Sequence, residues 1–188
     1  MKKLFLATVI AAVCGIAQAE GTYASITYDQ KDKQASTQVN HVYGLNVGQK
    51  FADGWAAEVR MEDEKVTNNG TQTQEGLAQI KVSKDFSFGL VTPYVAGAVG
   101  QKNKATSDFP FWVGEVGAKV KLGDSLTARY GWRQRTAFDT NVNSYDTREH
   151  TVALGYTLTK QDAVSVAYKQ ERGTSNYNTS GVYYTRSF

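Results

Sequence analysis

The most constraining feature of this sequence is an alternation of apolar and polar residues with a period of two, which recurs from residue 21 to the end of the chain. In residues 39–51 the large side chains, such as Tyr43 and Leu45, share one parity, and the small or polar ones, such as Gly44 and Asn46, share the other. Successive side chains of a β-strand point to opposite faces, so this pattern predicts strands with one apolar face. A 3.6-residue period is almost absent. The sequence therefore predicts an all-β fold.

Ten segments carry this alternation and are bounded by turn residues. The predicted strands are 21–30, 39–51, 55–66, 75–84, 91–101, 109–122, 126–136, 147–158, 163–172 and 179–188. Short connections are predicted at 52–54, 85–90, 123–125 and 159–162, and longer polar ones at 31–38, 67–74, 102–108, 137–146 and 173–178. An even number of antiparallel strands puts both termini at the end with the short connections. Eight strands is the alternative if strands four and five, or nine and ten, are misassigned.

The first 19 residues differ from the rest of the chain. Lys2 and Lys3 are followed by an apolar run over residues 4–16 and by small residues at Ala17 and Ala19. This three-part pattern is typical of a secretory signal peptide. We therefore predict a signal peptide at 1–19 and a single folded domain at 20–188.

The one cysteine, Cys14, lies inside this leader. A lipoprotein leader acylated at Cys14 is an alternative, but its approach lacks the leucines that such a signal needs. Two of the 21 basic residues also lie in the leader, so 19 basic residues face 18 acidic ones after Ala19. That balance lacks the basic footprint of a nucleic-acid-binding protein. Past Ala19 no apolar run approaches the roughly 20 residues of a membrane-spanning helix.

Aromatic residues gather near the two ends of the predicted strands. Near the short connections lie Phe51, Trp55, Phe86, Phe88 and Phe188, and near the long ones Tyr28, Tyr43, Phe109, Trp112, Trp132 and Phe138. Two aromatic belts, an even strand number and alternating long and short connections are typical of a transmembrane barrel. A soluble β-sandwich has no reason to segregate its connections by length.

These features, with the C-terminal segment 182–188 that ends in Phe188 and the segment 92–100, resemble Gram-negative outer-membrane β-barrel proteins of the small OmpA-like and porin-like kinds. The resemblance implies a closed antiparallel transmembrane β-barrel in the outer membrane. It also implies that the barrel assembly machinery reads the last strand, with Tyr184 and Phe188 as the assembly signal. Arg186 departs from the pattern, because an aromatic or aliphatic residue is more usual there.

If the apolar parity faces lipid, the other parity faces the lumen, and it is strongly charged. An Arg or Lys facing lipid at the bilayer midplane costs about 2–4 kcal/mol, which excludes the opposite assignment. The predicted pore-lining residues are Glu58, Arg60, Glu62, Lys81, Glu115, Lys119, Lys121, Arg129, Arg133, Arg135, Glu149 and Lys169.

Registers drawn from the connections place Arg133 opposite Glu115, and Arg135 opposite Glu149. The same registers place Arg129 opposite Lys119, with Lys121 nearby, as a like-charged cluster. This cluster is either an anion-attracting constriction or is neutralised by carboxylates across the lumen, such as Glu58.

Two functions fit this lumen. A monomeric porin-like channel would pass small solutes, anions among them, along the charged wall. Alternatively, the charges pair and plug the lumen, which would give a non-conducting structural or surface-interaction barrel. Ten strands is close to the size at which side chains fill a barrel, so strand number alone leaves both open.

Enzymatic, metal and cofactor functions find little support in the sequence. His41 and His150 share the outward parity, and Glu149 points the other way from His150, so no oriented catalytic base is expected. Without cysteine, two separated histidines leave zinc without ligands. The loop that contains Asp139, Asn141, Asn143 and Asp146 is only a weak match to a calcium-binding loop.

Overall fold

A computed structural model describes residues 21–104, 107–139, 146–174 and 176–188. Ten antiparallel strands form a closed barrel in which each strand pairs with its neighbours in sequence and the last pairs with the first. The strands are β1 (Gly21–Lys33), β2 (Val39–Lys50), β3 (Trp55–Asn68), β4 (Thr71–Asp85), β5 (Val91–Asn103), β6 (Asp108–Lys121), β7 (Leu126–Ala137), β8 (Thr147–Thr157), β9 (Asp162–Gly173) and β10 (Tyr177–Ser187). This confirms the predicted all-β fold of ten strands. Among the described residues, no helix is long and apolar enough to cross a membrane.

The barrel has two ends that differ in which chain segments they carry. At the terminal end, the backbone N–H of Phe188 donates to the carbonyl oxygen of Thr22 at 2.8 Å and so closes the barrel near both ends of the described chain. The connections 51–54, 86–90, 122–125 and 158–161 lie there. The loop end carries the connections 34–38, 69–70, 104–107, 138–146 and 174–176.

The long connections predicted at the loop end are shorter in the structure, because the strands continue into them, so that part of the prediction is wrong. Lys31 continues β1 and Lys102 continues β5, and between β3 and β4 the turn shrinks to Asn69 and Gly70. Positive φ angles of 48° and 81° at this Asn-Gly pair are typical of a type I′ hairpin turn. Ladder hydrogen bonds need no apolar side chains, so the strands continue into polar sequence. Connection length therefore does not distinguish the two ends.

Polarity in the barrel is the inverse of that in a soluble domain. On the exterior, Ile26 is 64% exposed and Val152 is 56% exposed. In the interior, Thr27, Asp29 and Asn40 are each 5% exposed or less. Large exposed apolar surface of this kind is the expected counterpart of lipid.

The interior also contains an apolar cluster that the sequence analysis did not predict. It lies towards the loop end and comprises Leu77, Ala98, Phe109, Phe111, Val113 and Ala137. Phe109, assigned from the sequence to an aromatic belt, is 2% exposed inside the barrel, so that assignment is wrong. Residues 109–113 are apolar on both parities, so the alternation does not indicate which side chains of β6 face the lumen at this point.

Candidate functional site

Two neighbouring cavities occupy the lumen. The terminal cavity, at the terminal end, has a volume of about 640 Å³. The loop cavity, towards the loop end, has a volume of about 120 Å³. The side chains that line both cavities are Arg60, Arg133, Glu149 and Lys169. We call these four residues the central layer.

The central layer is held by ion pairs between strands. Arg133 on β7 donates to Glu149 on β8 at 2.7 Å, and the other oxygen of this carboxylate accepts from the Thr151 hydroxyl at 3.1 Å. Lys169 on β9 donates to Asp29 on β1 at 2.6 Å. Both residues of each pair point inward, because each shares the inward parity of its strand. The layer is therefore a band of fixed charge across the middle of the lumen.

Arg60 completes the layer from β3. Its guanidinium pairs with Glu62 two residues along the same strand, and both side chains are largely buried. Because Arg60 and Glu62 are successive residues on the inward parity of β3, the pair forms within one strand. The layer thus receives charge from four different strands.

The terminal cavity has an excess of positive charge. Its cations are Lys50, Arg60, Lys81, Lys119, Arg129, Arg133 and Lys169, and its carboxylates are Glu58, Asp85, Glu115 and Glu149. Arg60 and Lys169 pair with Glu62 and Asp29 of the loop cavity, so five cations and four carboxylates remain. In a lumen with low-dielectric walls, such an excess concentrates anions.

One carboxylate, Glu115, organises much of this wall. It accepts from the Tyr94 hydroxyl at 2.8 Å, pairs with Arg129 and lies 3.6 Å from the ammonium of Lys81. Arg129 also donates to the Tyr94 hydroxyl at 3.0 Å. Two cations therefore share a single carboxylate, which leaves positive charge uncompensated in the cavity.

The predicted cluster of like charges exists, and its neutralisation differs from the prediction. Arg129 lies opposite Lys119, as the register predicted. Lys119 pairs with Asp85 at 2.6 Å and Arg129 with Glu115. Glu58, proposed from the sequence as the neutralising group, instead accepts from the Tyr23 hydroxyl at 2.9 Å.

The predicted partner of Arg135 is wrong. Arg135 lies opposite Thr147, and Glu149 lies opposite Arg133. The register of β7 and β8 is shifted by two residues from the one drawn from the centre of their connection. Arg135 pairs instead with Glu171 on β9 at 3.4 Å.

The loop cavity is small because its polar side chains are tightly bound to one another. Glu64 accepts from Lys102 at 2.6 Å, from Asn40 at 2.7 Å and from Lys31 at 3.3 Å. Lys102 also pairs with Glu75 at 3.0 Å. This clasp lies beside the apolar cluster, since Lys102 is the register partner of both Leu77 and Phe109, and the two together narrow the lumen.

Eleven of the twelve residues predicted to line a pore surround these cavities. Beyond the central layer, Glu58, Lys81, Glu115, Lys119 and Arg129 line the terminal cavity, and Glu62 and Arg135 line the loop cavity. Lys121 is different, because it is the exposed last residue of β6 and lies at the barrel rim.

Sequence reasoning missed several lumen residues that take part in these networks. They are Tyr23, Asp29, Lys31, Asp85, Tyr94, Lys102 and Tyr183. Three of them are tyrosines, which we associated with the exterior. Lys31, Asp85 and Lys102 lie just past the predicted end of a strand and share its inward parity, so extending each alternation would have found them.

The two histidines lie outside the lumen. The Tyr28 hydroxyl and His41 Nδ1 are hydrogen-bonded at 2.8 Å, and so are the Tyr130 hydroxyl and His150 Nδ1. Within the described ranges, no three His, Cys, Asp or Glu side chains are grouped to hold a metal ion. The calcium-loop hypothesis falls partly on residues 140–145, outside the described residues.

The predicted assembly signal lies on the exterior at the terminal end. The Tyr184 hydroxyl donates to Asp162 at 2.6 Å, and Phe188 is 71% exposed. Arg186, the departure from the family pattern, lies opposite Asp162 and pairs with it at 3.5 Å. A local ion pair thus accommodates the unusual residue.

No protein-family model and no curated protein matches this sequence. Solved structures do match it. The porin NanC superposes with a TM-score of 0.57 at 10% identity, over 87% of this chain and 98% of its own. The translocator domain of the autotransporter NalP from Neisseria meningitidis gives 0.54 at 9% identity, over 100% and 96%. The chain has the fold of the Gram-negative outer-membrane β-barrels.

A third neighbour, the porin KdgM in complex with disordered oligogalacturonate, gives a TM-score of 0.53 at 14% identity, over 87% of this chain and 99% of its own. The neighbours are outer-membrane proteins of Gram-negative bacteria, and with the apolar exterior they support an outer-membrane location for this barrel. In such barrels both termini lie on the periplasmic side.

Proposed function

We propose that this outer-membrane barrel is a narrow diffusion channel that prefers small anions. The observation that carries the proposal is the terminal cavity of about 640 Å³, where Lys81 and Arg129 share the single carboxylate of Glu115, in a lumen lined by eleven cations and nine carboxylates. Charged walls of one predominant sign select permeant ions of the other sign. A solute that enters from the periplasm therefore meets a cationic wall first.

In the proposed channel, the path passes through the central layer, whose side chains line both cavities. Ion pairs such as Lys102 with Glu64 and Glu75 narrow the lumen beyond it. We therefore expect selectivity to be set in the wider terminal cavity and the size limit to be set at and beyond the central layer. A channel of this form passes small ions and excludes large solutes.

The comparisons add support from the fold. NanC and KdgM are porins, and both are covered almost completely by this chain. NalP's translocator domain shares the fold with a different role, so the lumen chemistry carries the argument.

A matched pair of lysines on β4 tests the proposal. Lys81 points into the terminal cavity, and Lys84 points outward beside Trp55 at the same end. We would measure the zero-current potential of refolded residues 20–188 in a planar bilayer under a salt gradient, for the wild type, Lys81→Gln and Lys84→Gln. We expect an anion-preferring potential in the wild type, a smaller one in Lys81→Gln and no change in Lys84→Gln.

Two results would contradict the proposal. A cation-preferring wild type would show that the excess of lysine and arginine does not control the lumen. Equal potentials for Lys81→Gln and the wild type would show that ions do not pass this wall. The folding control is the change in electrophoretic migration on heating, which both variants should show as the wild type does.

A second candidate function is a non-conducting barrel that binds a partner at the cell surface. The loop half favours it, because the apolar cluster and the Glu64 clasp fill much of that half. The β3–β4 hairpin also extends beyond the end of β5. Residues 71–75 of β4 have no partner on β5, because the pairing of these two strands begins at Gly76. A folded wild-type barrel without current would favour this function.

A further inference from the structure

Two arginines lie opposite each other on the exterior near the loop end. Arg148 on β8 is the direct register partner of Arg172 on β9. Both have the outward parity, which Arg148 shares with Val152 and Leu154 on its strand. Like charges directly opposite on neighbouring strands are destabilising.

Neither arginine has an acidic partner in the described part of the chain, where no carboxylate lies within 4.0 Å of either guanidinium. The adjacent carboxylates, Glu149 and Glu171, face the lumen and are paired with Arg133 and Arg135. The pair thus carries two positive charges that no acidic side chain balances.

Neutral acceptors orient one member of the pair. Arg172 donates to the carbonyl oxygens of Glu171 at 2.8 Å and Tyr177 at 3.0 Å, and to Asn178 Oδ1 at 3.2 Å. These bonds fix the guanidinium without neutralising it. Arg148 is exposed beside it.

The position along the strands places the pair at a membrane boundary. Arg148 is ten residues from Leu158, and Arg172 is ten residues from Asp162, both of which lie at the terminal end. With a rise of about 3.3 Å per residue and a strand tilt of about 40°, ten residues span about 25 Å, the height of the apolar band of such barrels. The two arginines therefore lie at the level of the lipid headgroups in the outer leaflet.

We propose that Arg148 and Arg172 bind the phosphate of an anionic lipid headgroup in the outer leaflet. Guanidinium groups bind phosphate through two parallel hydrogen bonds, and basic side chains at a membrane interface attract anionic lipids. Gln134 and Gln170 flank the pair on the same outer face and supply further polar contacts. The inference depends on the lipid-facing exterior and is independent of conduction through the lumen.

A native fluorophore lies close to this site. Trp132 is the register partner of His150, two residues from Arg148 on the same face. Replacing the two other tryptophans, as Trp55→Phe and Trp112→Phe, leaves Trp132 as the reporter. The barrel is refolded into phosphatidylcholine vesicles that contain a minor fraction of either brominated phosphatidic acid or brominated phosphatidylcholine, whose chains quench a neighbouring tryptophan.

Each basic residue at such a surface changes lipid affinity by roughly fivefold. We therefore expect stronger quenching of Trp132 by brominated phosphatidic acid. The preference should fall about fivefold in Arg148→Gln or Arg172→Gln and vanish in the double variant. Arg148→Lys should keep most of it, and Lys84→Gln, an exterior charge at the other end, should keep all of it.

Three outcomes would overturn the proposal. Equal quenching by the two lipids would show no headgroup preference. An unchanged preference in the double variant would locate the binding elsewhere. Loss of the preference on addition of inorganic phosphate would identify a soluble anion as the occupant. Unchanged electrophoretic heat-modifiability in every variant confirms that each one is folded.

Discussion

At the scale of single residues, tyrosine rings fix the inner wall by packing against glycines. Tyr94 lies against Gly117 and Gly131, and Tyr23 lies against Gly48. Each hydroxyl is fixed too, since Tyr94 donates to Glu115 and Tyr23 to Glu58. The absence of a Cβ lets each ring lie flat on the neighbouring strand, which keeps the terminal cavity open.

Gly117→Ala should therefore destabilise the barrel. A Cβ at this position would lie 2.6 Å from the Tyr94 ring and closer still to the carbonyl oxygen of Tyr130. Overpacking of this kind costs about 1–3 kcal/mol. Urea unfolding of the refolded barrel measures the loss, and Gly155→Ala is the control because its nearest atom is 3.8 Å away. Equal stability of the two variants would show that the ring can move aside.

At the scale of the strands, period-two alternation predicted all ten elements because one face of each strand is lipid-facing and apolar. It failed where that contrast disappears. Residues 109–113 are apolar on both parities, so the interior cluster was missed. Beyond the apolar band both faces are polar, so the strand ends at Lys31 and Lys102 were assigned to loops. Contacts between strands far apart in sequence, such as that of Lys169 on β9 with Asp29 on β1, depend on barrel closure and have no local signal in the sequence.

The closing strand carries the predicted assembly signal, which we propose is read by the barrel assembly machinery. Because the Phe188 side chain is 71% exposed and has little contact with the rest of the barrel, Phe188→Ala should change the unfolding free energy of the purified barrel about as much as Leu158→Ala does, through lost contact with lipid alone. Its level in the outer membrane of living cells should nevertheless fall several-fold. Leu158→Ala, 53% exposed at the same end, is the control and should leave that level unchanged. Equal levels for Phe188→Ala and the wild type, by membrane fractionation and immunoblot, would contradict the assignment.

At the scale of the whole molecule, the barrel has a wide half and a narrow half that meet at the central layer. In the proposed channel, the terminal cavity supplies the selectivity, and the central layer with the loop half limits the size of what passes. The apolar exterior and the arginine pair at its outer boundary face the membrane. The inner face of one closed sheet thus lines the lumen, and its outer face contacts lipid.

Single-channel conductance of the wild-type barrel beside Arg133→Ala/Glu149→Ala tests this division most directly. Removing both members of a bonded pair avoids leaving an unpaired buried charge, so the variant should fold. We expect small, steady current steps in the wild type and steps several-fold larger in the double variant, because the central layer is widened. Folded barrels that are silent in both forms, or that conduct equally, would contradict a channel limited at the central layer.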